Sequence, residues 1–262
     1  MAEMAINTIH IIYFSATGTT LKTAKTIAEG GRVPNVKMHN LTRGADAELR
    51  IPDNEVALFA APVYAGRIPA IMADALMKVK GVGTPAVVVC VYGNRDYDDA
   101  LLELKSIADR QGFLPVSAAA FIAQHSIFPK LAAGRPDDVD IQAMREFGRR
   151  SMELAADAYN VCSRQFPVPG NYPYKEAKAI PLIPRTRRCD KCGACAKECP
   201  AHAIDPDNPS HTDVAKCISC AHCIHICPKH ARRWGGLKYM MASRKFVKLF
   251  SDRKEPFILY RR

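Results

Sequence analysis

No stretch of this sequence is long enough and apolar enough to cross a bilayer. The longest strongly apolar run, residues 86–92, falls far below the roughly 20 residues a span needs. The amino-terminal stretch carries Glu3 and passes into a strand pattern without a small-residue cleavage site. No export signal is therefore expected, and the chain is expected to work in the cytoplasm. G-x-G-x-x-G is missing from the strand–turn–helix that opens the chain, and no Gly-Lys-Ser/Thr follows that turn. Neither a nicotinamide dinucleotide nor a nucleoside triphosphate finds its usual cradle there. Motifs for reading nucleic acid are also missing. Cysteine is scarce through the first 160 residues, where Cys90 sits in an apolar run and reads as core.

Cysteine is instead concentrated near the carboxyl end. Cys189, Cys192, Cys195 and Cys199 precede Pro200, and Cys217, Cys220, Cys223 and Cys227 precede Pro228. Each copy reads C-x2-C-x2-C-x3-C-P, the bacterial ferredoxin spacing for iron–sulfur clusters, and the copies lie 28 positions apart. A four-iron cage needs a soft thiolate at each corner, and two-residue gaps let one tight loop present three sulfurs. In two-cluster ferredoxins the fourth cysteine of each run serves the other cluster, because the following proline turns the chain away. This assigns Cys189, Cys192, Cys195 and Cys227 to one [4Fe–4S] cluster. Cys217, Cys220, Cys223 and Cys199 go to the other. Structural zinc takes well-separated C-x2-C pairs and has no use for a third cysteine two residues on. A disulfide framework would call for an oxidising compartment. His202, His211, His222, His225 and His230 lie nearby, but eight cysteines already fill eight corners. Ala203, Ile204 and Ile226 read as packing for this small core.

The first half alternates short apolar strands with helical segments. Strands are expected at residues 8–14, 56–61, 86–92 and 115–121, with a weak one at 36–40. Helices are expected at 19–29, 69–79, 97–111 and 137–159, the last with Asp137 near its cap. Near-continuous Val, Ile and Ala strands between helices indicate a doubly wound α/β domain, a parallel five-stranded sheet covered on both faces. Between the first strand and first helix stand Ser15, Ala16, Thr17, Gly18, Thr19 and Thr20. Hydroxyls alternating around one glycine, ahead of a helix with free N–H groups and a positive dipole, suit a terminal phosphate monoester. The same residues also suit a plain Ser/Thr helix cap. This loop resembles the S/T-x-T-G-x-T phosphate loop of the flavodoxins, which bind FMN. The resemblance implies that Pro62, Val63, Tyr64, Ala65 and Gly66 form the loop against the flavin ring, with Tyr64 stacked on it. It implies that Tyr92, Gly93, Asn94 and Tyr97 belong to the second ring loop, Gly93 and Asn94 offering backbone N–H groups. A long connection at residues 123–136, with Gln124, His125 and Ser126, is expected to cover the ring or meet the cluster module.

Charge divides the chain. Residues 1–160 hold 17 Lys and Arg against 18 Asp and Glu, whereas residues 161–262 hold 20 against 8. Oxidised clusters with four thiolates carry about −2 each and leave the second part basic. That basic part fits an acidic redox partner better than nucleic acid. Residues 164–188, rich in proline, read as a semi-rigid connector. Cys162, at the end of the long helix, reads as a simple thiol. In the basic tail, Tyr239, Met240, Phe246, Val247 and Phe250 are expected to form an apolar helical stripe, with Arg244, Lys245 and Lys248 outside it. Such stripes mostly pack on their own protein; attachment to a membrane surface is the other use of one.

Over nearly its full length the sequence resembles the EFR family of fused flavodoxin–ferredoxin proteins. The expected parts are a flavodoxin-like domain (1–163), a linker (164–186), a small α+β two-cluster ferredoxin domain (187–230) and a basic extension (231–262). The resemblance implies FMN, two [4Fe–4S] clusters and electron transfer between one- and two-electron partners. The alternative is an FMN-dependent reductase of a quinone, enone or nitro compound fed by the clusters, with Tyr64, Tyr97 and His125 as candidate proton donors.

Overall fold

The computed structural model describes residues 6–158, 166–177 and 182–261. The chain opens with β1 (Thr8–Tyr13), α1 (Thr19–Gly31), β2 (Asn35–Asn40), β3 (Leu49–Ile51), β4 (Val56–Pro62), α2 (Ala70–Leu76) and β5 (Val79–Gly81). Next come β6 (Thr84–Tyr92), α3 (Ala100–Arg110), β7 (Phe113–Ile122) and α4 (Asp138–Ala156). The cysteine-rich part contributes β8 (Arg185–Thr186), α5 (Ala194–Lys197), α6 (His222–His225) and β9 (Arg232–Arg233), and α7 (Leu237–Phe250) and β10 (Phe257–Tyr260) end the chain.

Strands β1, β4 and β6 are buried at every position, as both-sided cover by helices requires. The main sheet runs β10-β7-β6-β4-β1-β2, all parallel except β10. Counted in chain order the parallel strands lie 2-1-3-4-5, the order of the flavodoxin-like doubly wound sheet. The fold is therefore flavodoxin-like, followed by a small module with a short antiparallel β8–β9 pair. One expectation needs correcting: the sheet has six strands. Phe257–Tyr260, inside the stretch read as a basic extension, pairs antiparallel with Ser117–Ala120 and covers the β7 edge. β7 itself is bulged at Val116, beside Pro115, which has no N–H to give the ladder.

Helices α1 and α4 cover one face and α2 and α3 the other, each over its own apolar cluster. The Asp137 side chain accepts from the Asp140 N–H, and Asp140 bonds back to the Asp137 N–H, so the expected cap is a full capping box. Tyr159, expected in this helix, and Cys162 lie outside the described residues. The described linker is strapped to the first domain. Asn171 and Lys175 donate their backbone N–H groups to the Asp99 carboxylate at 2.8 and 2.7 Å. Phe166 and Val168 are buried in the α2–α3 side of the core. Arg67, paired with Glu103 at 2.6 Å, also reaches the Lys175 carbonyl at 3.0 Å and lies over the Tyr174 ring.

Helix α7 packs back on its own protein. Phe246 and Tyr239 meet the Phe128 ring at 4.7 and 5.8 Å, and Trp234 Nε1 donates to the Ser126 carbonyl at 3.0 Å. Met240, expected in the inward stripe, is 49% exposed, while Ala242 and Phe246 line the cavity and Tyr239 and Phe246 meet Phe128. Among the described residues no helix is long and apolar enough to cross a membrane.

Candidate functional site

The loops leaving the carboxyl ends of β1, β4 and β6 converge where the sheet order reverses, between β1 and β4, the usual binding crevice of such sheets. They enclose a cavity of about 510 Å³, within the roughly 300–1,000 Å³ of small-molecule sites. Ala16, Thr17, Thr19 and Thr20 line it from the first loop, Pro62, Val63, Tyr64, Ala65 and Gly66 from the second, and Tyr92 and Gly93 from the third.

Four residues expected beside the ligand do not line the cavity. Ser15 pins its loop: Oγ accepts the Leu21 N–H at 3.1 Å, and its own N–H donates to Thr42 Oγ1 at 2.9 Å. Gly18 is the residue before α1, with φ at 84°, and its Cβ position is open space. Glycine is required there by conformation rather than crowding. Asn94 is buried at positive φ and donates Nδ2 to the carbonyls of Phe250 and Asp252 at 2.6 and 2.8 Å. It fastens the end of α7. Tyr97 packs between Tyr92 and Phe257, with ring centres 5.6 and 5.9 Å away.

Arg95 and Asp96 of the expected second ring loop and Phe128 of the 123–136 connection also line the cavity. Other walls come from parts of the chain not expected here: Lys175, Glu176 and Leu182 of the linker, and Ala242 and Phe246 of α7. Ile218 and Ser219 come from inside the second cysteine motif. The 123–136 connection supplies Gln124, His125 and Ser126 to the cavity wall, and the contact it makes through Ser126 is with Trp234 of the tail rather than with the expected cluster module. Burial pushes the His125 imidazole down to about 4, aided by Arg95, and its Nδ1 accepts N–H groups from Ile127 and Phe128 at 3.1 and 3.3 Å. The ring is neutral near pH 7 and carries its proton on Nε2. Burial, then the nearby Cys220 sulfur, pushes the Tyr64 phenol well above its ordinary value.

The residues present fit a flat ring with a phosphate tail. Lys22 is the first α1 residue to bond within the helix, to the Gly18 carbonyl at 2.9 Å, and Ser15 takes the Leu21 N–H. The Thr19 and Thr20 N–H groups stay at the open helix start, where an anion is favoured. Gly66 (φ 85°) and Gly93 hold two walls thin, since a Cβ on Gly93 would stand 2.6 Å from the His125 ring.

The two cysteine loops share one backbone design. Lys191 and Gly193 have positive φ in the first loop, Ser219 and Ala221 in the second, and His202 and His230 repeat it after each fourth cysteine. A one-turn helix follows the second cysteine in both copies. Ala203 N–H donates to Cys199 Sγ at 3.3 Å and Ala231 N–H to Cys227 Sγ at 3.2 Å. Alternating left- and right-handed residues turn successive N–H groups toward one concave side, as anionic clusters require. Ala203 and Ile204 are core with Cys195 and Cys199, while Ile226 is half-buried. Among the described residues no three His, Cys, Asp or Glu side chains converge where a single metal ion would sit. A four-iron cage takes its thiolates on separate corners rather than around one point. Burial pushes the Cys220 thiol up to about 12 and Cys223 to about 11, so a thiolate at either position would need a cation beside it.

The second cysteine loop touches the first domain directly. His222 donates Nδ1–H to the Ala16 carbonyl, 2.5 Å away, and Cys220 and Ile218 pack into the α2–α3 side of the core.

No curated protein matches the chain in sequence. Among solved structures, it is similar to the rubredoxin oxygen:oxidoreductase of the anaerobe Desulfovibrio gigas, at 15% identity and a TM-score of 0.42, over 61% of this chain and 38% of that one. The chain thus spans under two-fifths of that relative. It is also similar to a flavodoxin from the domain Archaea (13% identity, TM-score 0.41, 56% of this chain, 98% of the other). A third likeness is to the flavodoxin of Streptococcus pneumoniae TIGR4 (22%, 0.39, 57% and 99%). The cysteine-rich part is the better-defined match: residues 188–232 fit the family model of the 4Fe-4S dicluster domain.

Proposed function

We propose that this protein is an electron carrier that binds FMN in the cavity and two [4Fe–4S] clusters in the cysteine loops, and passes electrons between them. One observation carries the reading: Ile218 and Ser219, inside the second cysteine motif, form part of the cavity wall. Thr17, Thr19 and Thr20 would hold the phosphate, and Tyr64 and Tyr92 would face the ring. Cys217, Cys220, Cys223 and Cys199 would ligate the cluster beside the cavity, and Cys189, Cys192, Cys195 and Cys227 the outer one. The clusters supply one-electron chemistry and the flavin both one- and two-electron chemistry. The chain's own part is to fix these groups close together and exclude water. Linker, cysteine loop and α7 all wall the cavity, which favours a carrier over a reductase with an open ring face. An acidic redox protein is the partner the basic second half suits, in the cytoplasm where thiols stay reduced.

The test is anaerobic reconstitution with iron, sulfide and FMN, then stepwise reduction followed in the visible spectrum. Two four-iron clusters and one FMN per chain, bleaching together, are expected. Failure to retain flavin would overturn the assignment of the cavity. Rapid reoxidation by an added quinone or enone would favour the reductase.

A further inference from the structure

The two halves of the cluster module repeat at a shift of 28 residues, so each position in one half has a counterpart in the other. The counterpart of Ile204 is Arg232. Both are buried, at 5% and 2% exposure, yet one is apolar and the other a cation. Ile204 packs with Cys195. Arg232 is aimed at the other loop, with Nη1 4.0 Å from Cys223 Sγ. Its acceptors are the Thr212 hydroxyl at 2.9 Å, the Pro209 carbonyl and the His211 carbonyl at 3.5 Å. None is a carboxylate, and among the described residues its buried Nε has no partner.

An unpaired buried guanidinium is strongly unfavourable unless an anion faces it. The group that Cys217, Cys220, Cys223 and Cys199 would hold is such an anion, at about −2 when oxidised and about −3 when reduced. A fixed cation attracts the reduced form more than the oxidised one. At the equivalent position of the other half the fold has the uncharged Ile204.

We propose that Arg232 is the resident counter-cation of the cluster beside the cavity and makes it the easier of the two to reduce. This rests on the two-cluster reading above. An electron arriving at the outer cluster then passes inward: the outer cluster is oxidised, the inner one is reduced by that electron, and no proton moves. Arg232 acts by position and charge and touches no substrate.

The experiment is a redox titration of the fully loaded protein followed by electron paramagnetic resonance, with iron and sulfide counted on the same sample. Two one-electron steps are expected, separated at least tenfold in equilibrium constant, which is about 59 mV. Arg232→Met should lower the upper step alone. Coincident steps in the unaltered protein, or a substitution that moves neither step or both equally, would overturn the proposal. If Arg232→Met does not hold two clusters, Arg232→Lys decides: an upper step within threefold of the original supports the charge role, and loss of the full tenfold separation removes it. A sample without iron defeats the two-cluster reading and this proposal with it, whereas full iron with coincident steps defeats only the role of Arg232.

Discussion

Tyr64 and His125 illustrate how single side chains govern the cavity. Tyr64 lines it, with its ring edge-on to Phe14 at 6.0 Å. Replacing it with alanine should weaken FMN by about tenfold, the scale of one lost aromatic contact; a fluorescence titration of the purified chain measures this. His125 gives a pH signature. Its folded value of about 4 lies below the ordinary 6.5, so between those limits the unfolded chain binds the extra proton. Its contribution is complete above pH 6.5 and falls toward pH 4 by about 1.4 kcal/mol per unit. Urea midpoints should fall less steeply with acid in His125→Asn than in the unaltered protein; parallel curves would contradict the burial argument. At this scale the cysteine repeat was legible as a motif, because its spacing is local, and residues 188–232 fit the 4Fe-4S dicluster model. Asn94 and Tyr97 were not, because what they hold lies far along the chain. Asn94 bonds carbonyls 156 and 158 residues away, and Tyr97 packs against Phe257.

Elements were legible where their burial is uniform. β1, β4 and β6 announce themselves as unbroken apolar runs. β10 is four apolar residues in a charged tail, and only pairing with the distant β7 makes it a strand. The contact between α1 and α4 left no periodic signal either, since it depends on glycine. A Cβ on Gly148 would collide with the Ile27 carbonyl, and one on Gly30 with the Arg145 carbonyl. Both obstacles are backbone, so no rotamer change relieves them. Gly148→Ala should destabilise the fold by about 1–3 kcal/mol, read as a lower denaturation midpoint with an unchanged slope.

Across the whole molecule, Asp99 ties the described linker to the first domain. Burial alone would raise the Asp99 carboxyl, but N–H donors from Lys175 and Asn171 outweigh it and hold it below its ordinary 3.8. That contribution is present above pH 3.8 and is lost as pH falls through the lower folded value. Asp99→Ala should free the strap at neutral pH, and limited proteolysis should then cut within residues 166–177 faster than in the unaltered chain. Domain order was readable from composition, but the return of the carboxyl-terminal strand to the first sheet was not, because nothing local encodes a partner of such sequence separation. That return has a consequence for synthesis. Ribosomes deliver the chain from its amino end, and domains generally fold as they emerge, at about 5–20 residues per second. Here α7 and β10, which wall the cavity and cover the sheet edge, leave the ribosome only after every cysteine has done so. The walls that α7 gives the cavity are therefore synthesised only after the cysteine-rich segment.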